Sequence, residues 1–297
     1  MSLLQVEALS VRLGGRLLLK DIALEIERGE LFGLIGPNGA GKSTLVKALM
    51  QLLPYSGRVC LEGQPLARMS ARARAQQLAY LSQDDRLQWP ISVRDLVALG
   101  RHPYRGSWWR GGLPGGPGAD AEADRCAIEQ ALQATDIDSL RERRADELSG
   151  GERARARLAR VLAVEAAVLL ADEPVAALDP MHQLRVMELL RARCQTGQTV
   201  VVVLHDLTLA SRFCDRLLLL DQGSAVASGA VERVLSPEHL SGVYGVQAII
   251  GEHEEGGQVQ RYIVPWSCEP SAACGANERA SEDQGDGSFQ RGKDPSA

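Results

Sequence analysis

The chain has 297 residues, 45% of them hydrophobic and 24% charged, with a net charge of -5. That is ordinary soluble-globular composition, and at roughly 150 residues per domain it suggests about two units. It excludes wholesale disorder, collagen and a disulfide-stapled miniature, and the acidic balance argues against a nucleic-acid partner. The six cysteines form no C-x-x-C pair and read as reduced structural thiols. No stretch approaches the ~18 apolar residues of a membrane span, and the N-terminus does not read as a signal peptide.

In chain order, Leu4, Val6 and Ala8, then Ile22, Leu24 and Ile26, alternate as strands on either side of a turn at Gly14-Gly15. Leu31 to Ile35 is a short apolar strand running into a glycine-rich loop. Thr44 to Leu53 has helical spacing and is closed by Pro54. Leu78 to Ser82 reads as another buried strand. Helical stretches follow at 93–100 and 120–134, separated by a surface loop, Gly106 to Gly118, that holds six glycines and two prolines. Beyond them the spacing predicts helices at 151–164, 181–193 and 207–214. Strands are predicted at 168–171, 199–204, 217–220 and 225–227. Alternating strands and helices imply a parallel α/β sheet. From Glu269 onward only small and polar residues remain apart from Phe289, and disorder is expected there.

Residues Gly36-Pro37-Asn38-Gly39-Ala40-Gly41-Lys42-Ser43 match G-x-x-x-x-G-K-[ST] between a predicted strand and a predicted helix. Glycines let the backbone N–H groups curl around phosphate oxygens, and the helix beginning near Lys42 adds its positive end. Lys42 can reach the β- and γ-phosphates, and the Ser43 hydroxyl can ligate Mg²⁺. The apolar strand Val168 to Ala171 ends in Asp172-Glu173. Asp172 is then expected on the Mg²⁺ shell, and Glu173 where an attacking water must lose its proton. Leu148-Ser149-Gly150-Gly151-Glu152 opens a helix. It reads either as a capping box of Ser149 and Glu152 or as a cap left for a phosphate from outside.

Together these elements resemble the ATP-binding subunits of ABC transporters over about residues 3–245. The shared order is a phosphate loop at 36–44, which includes Thr44, then Gln83, Leu-Ser-Gly-Gly-Glu at 148–152, Asp172-Glu173, Ala177-Leu178-Asp179 and His205. The resemblance implies a phosphate-loop NTPase core (1–84 and 149–245) with an N-terminal antiparallel β part, and an inserted helical subdomain (85–148). Residues 246–268 would form a C-terminal extension and 269–297 a disordered tail.

It further implies two copies packed head to tail, each ATP lying between one phosphate loop and the partner's Ser149, Gly150 and Gly151. Gln83 would sense Mg²⁺ and the attacking water, Asp179 would bridge the dimer, and His205 would contact the γ-phosphate and hold Glu173 in line. Where the family usually carries an adenine-stacking aromatic, this chain has Leu13, and where it usually carries glutamine, Ala154.

Val97 to Tyr104 and Leu240 to Val246 resemble importers of iron–siderophore, haem and cobalamin. That implies two separate integral-membrane permease subunits, a separate substrate-binding protein, and a place on the cytoplasmic face of the inner membrane. Otherwise Arg101 to Tyr104 is a helix exit with a proline stop. The other functional readings are a soluble ABC ATPase uncoupled from transport and a small-molecule phosphotransferase. Trp89, Ile91 and Val93 read as a docking surface for the membrane subunits or as the helical subdomain's own core. The basic run Arg141 to Arg160 reads as a solvated, salt-bridged helical face.

Overall fold

The computed structural model describes residues 2–83, 90–104, 121–255 and 257–268. Trp89, the Gly106–Gly118 loop and the tail 269–297 lie outside the described residues.

Two long strands, β1 (Ser2–Leu13) and β2 (Arg16–Glu27), pair antiparallel about the Gly14-Gly15 turn. With β4 (Ser56–Leu61) and β5 (Gln64–Pro65) they make a four-stranded sheet in the order β2-β1-β4-β5. A second sheet takes β3 (Leu31–Ile35), β6 (Leu78–Leu81), β7 (Val168–Asp172), β8 (Thr199–Val203), β9 (Arg216–Asp221) and β10 (Ser224–Ala230). Its order is β10-β9-β3-β8-β7-β6. It is parallel except for β10, which runs against β9. The fold is α/β with an antiparallel part, as the sequence implies.

β3, β7 and β8 are buried at every position, which is why they read as unbroken apolar runs rather than alternating ones. Successive side chains enter two different cores. Phe32, Leu34, Leu170, Val201 and Val203 pack toward the antiparallel sheet and α1 (Lys42–Leu49). Leu31, Ile35, Leu169, Ala171, Val200 and Val202 pack toward the other helices. These are α3 (Val93–Ala98), α4 (Ala121–Ala134), α5 (Gly150–Leu162), α6 (Pro180–Gln195) and α7 (Leu207–Phe213).

Several elements, β4 and β5 among them, are not predicted from the sequence. A helix, α2 (Ala71–Gln77), has no apolar stripe to announce it; none of its residues is buried, and Ser70 caps it by accepting from the Ala73 amide. The small helix α8 (Val231–Val234) and α9 (Pro237–Tyr244) lead into a hairpin of β11 (Val246–Glu255) and β12 (Gln258–Cys268), where only an extension is expected from the sequence. Pro265 and a bulge at Gln247/Ala248 interrupt its alternation. Of the two readings of Ile91 and Val93, the structure takes the core: Val93 is fully buried and Ile91 is partly buried against the same cluster.

Residues Leu99–Tyr104 form a 3₁₀ turn rather than a plain helix exit. Arg101 is only 4% exposed. Its guanidinium donates to Asp124 (2.7 Å), Glu165 (2.8 Å) and the Ala163 carbonyl (2.9 Å), and lies 4.0 Å from the Tyr104 ring centre. The Tyr104 hydroxyl donates to the Val164 carbonyl at 2.9 Å. This ionic hub joins the segment after α3 to the start of α4 and the end of α5. Arg101→Ala leaves the largely buried Asp124 carboxylate without its cation and removes a buried side chain, and is expected to cost about 3 kcal/mol. A urea midpoint equal to that of the parent protein would show that the hub contributes nothing.

Candidate nucleotide site

The carboxyl ends of adjacent parallel strands β3, β8, β7 and β6 lie on one edge of the sheet. From them leave the phosphate loop, His205, Asp172-Glu173 and Gln83. Clefts at such strand ends are where open α/β sheets bind ligands.

The loop's curl requires glycine at two points. Gly36 has φ +145°, and a Cβ there would sit 2.1 Å from the Leu220 carbonyl oxygen. Gly41 has φ +104°, and a Cβ there would press on the Leu19 side chain at 2.6 Å. Lys42 is buried. It donates to the Gly36 carbonyl at 2.6 Å and the Pro37 carbonyl at 2.9 Å, so its ammonium sits inside the loop. Burial pulls its pKa down, against the pull of Glu173 and Asp172. The Ser43 hydroxyl donates to Asp172 Oδ1 at 3.1 Å. Asp172 is buried, which raises its pKa, and the Ser43 hydrogen bond only partly offsets this. Both charges pay for desolvation here, as sites built for a charged ligand do.

Glu173 sits at the centre. Its Oε2 accepts from Gln83 Nε2 at 2.7 Å, and its Oε1 accepts from His205 Nε2 at 2.5 Å. Its side chain is 12% exposed, whereas that of His205 is 42% exposed. The Glu173 backbone is left-handed, φ +54°. That conformation is unfavourable for a non-glycine residue by roughly 1–2 kcal/mol and concentrates at functional positions. Here it turns the chain sharply after β7.

The Leu-Ser-Gly-Gly-Glu segment lies at the start of α5. Its capping box is formed: Ser149 Oγ accepts from the Glu152 amide at 3.3 Å, and the Glu152 carboxylate accepts from the Ser149 amide at 2.8 Å. These bonds hold the Glu152 carboxyl below its usual range, the backbone bond most strongly. Asp179 caps α6 through the His182 amide at 3.0 Å, and its carboxylate meets His182 Nδ1 at 2.8 Å. Within the single chain, therefore, Ser149 and Asp179 serve as helix caps, while Lys42, Ser43, Asp172, Glu173, Gln83 and His205 converge.

Sequence reasoning missed Arg157. From α5 it donates to the Ser82 carbonyl and, at 3.4 Å, to the Gln83 carbonyl, so it holds the turn that carries Gln83. In the surrounding basic run Arg141 pairs with Glu129 and Asp138 and Arg144 with Asp146, but these arginines lie in the turns before α5 and not on the helical face the sequence suggested. The carbonyls that Arg157 reaches lie 75 and 74 residues away in the chain, and nothing local marks them. Leu13, at the end of β1 where the resemblance would put an adenine-stacking aromatic, is half exposed. No group of three or more His, Cys, Asp or Glu among the described residues could hold a metal by itself.

The ABC transporter family profile matches residues 19–176. The hemin import ATP-binding protein HmuV of Pseudomonas putida is 42% identical over 261 residues, 86% of this chain and 97% of that protein. A metal-chelate type ABC transporter solved in an inward-facing conformation superposes with a TM-score of 0.75 at 23% identity, over 90% of this chain and 98% of that one. The ATP-binding cassette MJ0796, solved as a post-hydrolysis dimer with ADP and Pi, gives 0.67 at 26% identity, over 77% of this chain and 99% of that one. The chain belongs to the ABC transporter family as an ATP-binding, ATP-hydrolysing subunit.

The left-handed backbone at position 173 can be tested directly. Glu173→Gly and Glu173→Ala both remove the carboxylate, but only glycine adopts φ +54° without strain. The glycine variant is expected to be the more stable by about 1 kcal/mol, or ~2–4 °C in melting temperature. Equal melting curves would mean that position 173 carries no backbone strain.

Proposed function

We propose, from its membership of that family, that the chain is the motor subunit of an importer and that its cargo is haem. Two copies would work with two integral-membrane permease subunits and a separate substrate-binding protein, at the cytoplasmic face of the inner membrane. The observation that carries the chemical reading is the Glu173 carboxylate held between Gln83 and His205 beside the Ser43–Asp172 pair. The cargo reading rests on the likeness to hemin import proteins across most of the chain. Among the described residues no helix is long and apolar enough to cross a membrane, so membrane passage would fall to other subunits.

The residues fit a bound Mg²⁺ as a set of hard oxygen donors: the Ser43 hydroxyl, the Asp172 carboxylate and the Gln83 amide oxygen. With so few protein ligands the remaining positions would go to substrate phosphates and water. Bound there, the ion would neutralise charge on the β- and γ-phosphates. The loop from Gly36 to Thr44 would cradle the triphosphate, and Lys42 would exchange its carbonyl partners for phosphate oxygens. Glu173 would take the proton of the attacking water. His205 would hydrogen-bond the γ-phosphate and keep Glu173 aligned.

The partner copy's Ser149, Gly150 and Gly151 would close over the same phosphates. The phosphate would then compete with the Glu152 carboxylate for the exposed N–H groups at the start of α5. Asp179 would cross the dimer. With Leu13 in place of an aromatic, the base would be held by aliphatic contact.

Glu173→Gln keeps the shape and hydrogen-bonding reach of the side chain and removes the base. It should bind MgATP with unchanged affinity and hydrolyse it about 10²–10⁴-fold more slowly. Turnover at the parent rate with binding intact would rule out Glu173 as the base. Cells lacking the protein should fail to grow on haem as sole iron source, and should recover when the parent gene, but not the Glu173→Gln gene, is restored. Normal haem uptake with loss of a ferric siderophore or cobalamin would move the cargo within the importer class. Loss of export, or no transport defect at all, would refute the importer reading and leave the ATPase reading standing.

A further inference from the structure

The hairpin β11–β12 is packed into the body rather than appended to it. Ile263, at the middle of β12, is 2% exposed and belongs to the same core as Leu207, Leu209, Ala210 and Phe213 of α7. On the side of β12 away from β11, the two main-chain groups of Ile263 meet one side chain. The Ile263 amide donates to Thr208 Oγ1 at 3.1 Å, and the Thr208 hydroxyl donates to the Ile263 carbonyl at 2.7 Å. A single hydroxyl thus uses its donor and an acceptor lone pair to satisfy both groups of a strand position that β11 leaves open.

Thr208 lies in the first turn of α7. Asp206 caps that helix, accepting from the Leu209 amide at 2.9 Å, and His205 immediately precedes the cap. Only two residues, Asp206 and Leu207, therefore separate the hydroxyl that grips the hairpin from the imidazole that meets Glu173. The helix cannot rotate or slide without breaking the Thr208 bonds, and any such motion would carry His205 with it. At the other end of the C-terminal unit, the hydroxyl of Tyr244, which closes α9, is buried facing the backbone of Gly36 at the start of the phosphate loop.

We propose that Thr208 is a positioning residue for hydrolysis: through its paired hydrogen bonds to Ile263, the C-terminal hairpin sets where His205 stands against Glu173. This rests on the reading of His205 as the γ-phosphate contact.

Thr208→Val keeps the β-branched shape and removes both hydrogen bonds, whereas Thr208→Ser keeps the hydroxyl. Steady-state ATPase of the full chain should show kcat about tenfold lower in Thr208→Val with KM for ATP within about twofold, and near-parent values in Thr208→Ser; small displacements at a reacting centre have effects of this order. In a His205→Ala background, where there is no imidazole to place, Thr208→Val should cost nothing further. A Thr208→Val loss that multiplies with the His205→Ala loss would overturn the proposal, as would an unchanged kcat. The His205 Cε1–H resonance should shift in Thr208→Val and stay in place in Thr208→Ser. An unmoved resonance in folded Thr208→Val overturns the proposal even where that variant's activity has fallen through lost stability. If His205→Ala alone leaves kcat unchanged, the reading of His205 itself is wrong.

Discussion

The parallel register of β3, β8, β7 and β6 is the constraint on which the rest depends. Parallel neighbours all run the same way, so their carboxyl ends share one edge of the sheet, and every segment that leaves there begins within side-chain reach of the next. Leu31 pairs with Val200, Leu169 with Val200, and Leu78 with Val168. With those registers set, residues as far apart in sequence as Gln83 and Glu173 meet at 2.7 Å, and His205 reaches Glu173 from the strand on the other side. A shift of one residue in any of the four strands would reverse which core its side chains enter and move its carboxyl end.

What the register gathers is electrostatically costly. Lys42 and Asp172 are both buried, and burial works against the charge of each. Glu173 adds a left-handed backbone at the same spot. These penalties fall on one small region and are offset by the two apolar cores on either face of the sheet, where the strands contribute alternating Val, Leu and Ile. This is the familiar exchange of local stability for a prearranged charge distribution.

The flanking structure holds those ends in place by polar contacts inside packed surroundings. Arg101 ties the end of α5 to the 3₁₀ turn after α3, Arg157 ties the middle of α5 to the turn that carries Gln83, and Thr208 ties α7 to the hairpin. α5 begins with Ser149 and its capping box. The same helix therefore presents the Ser-Gly-Gly end and, about two and four turns later, grips the segments on either side of the residues that follow Gln83.

The amino-acid sequence by itself determined what is local. The phosphate loop is contiguous, its glycines are demanded by backbone curvature within eight residues, and the apolar runs of β3, β7 and β8 announce strands buried on both faces. Asp172-Glu173 and Ser149 to Glu152 were legible for the same reason, since a strand end and a helix cap are short-range patterns. Only the tertiary structure decided what depends on distance in the chain. α2 has no buried face and so no periodicity. The β11–β12 pattern is broken by a proline and a bulge. Val93 could be assigned to the core only once α3 was seen packed against α5. The grips of Arg157 and Thr208 reach main-chain groups, and every residue has those, so no spacing of side-chain types encodes them; Arg101 reaches carboxylates 23 and 64 residues away, Asp124 and Glu165, which only the packing brings together. Whether Glu173 faces Gln83 and His205 was likewise settled by strand order, a property of how the sheet assembles.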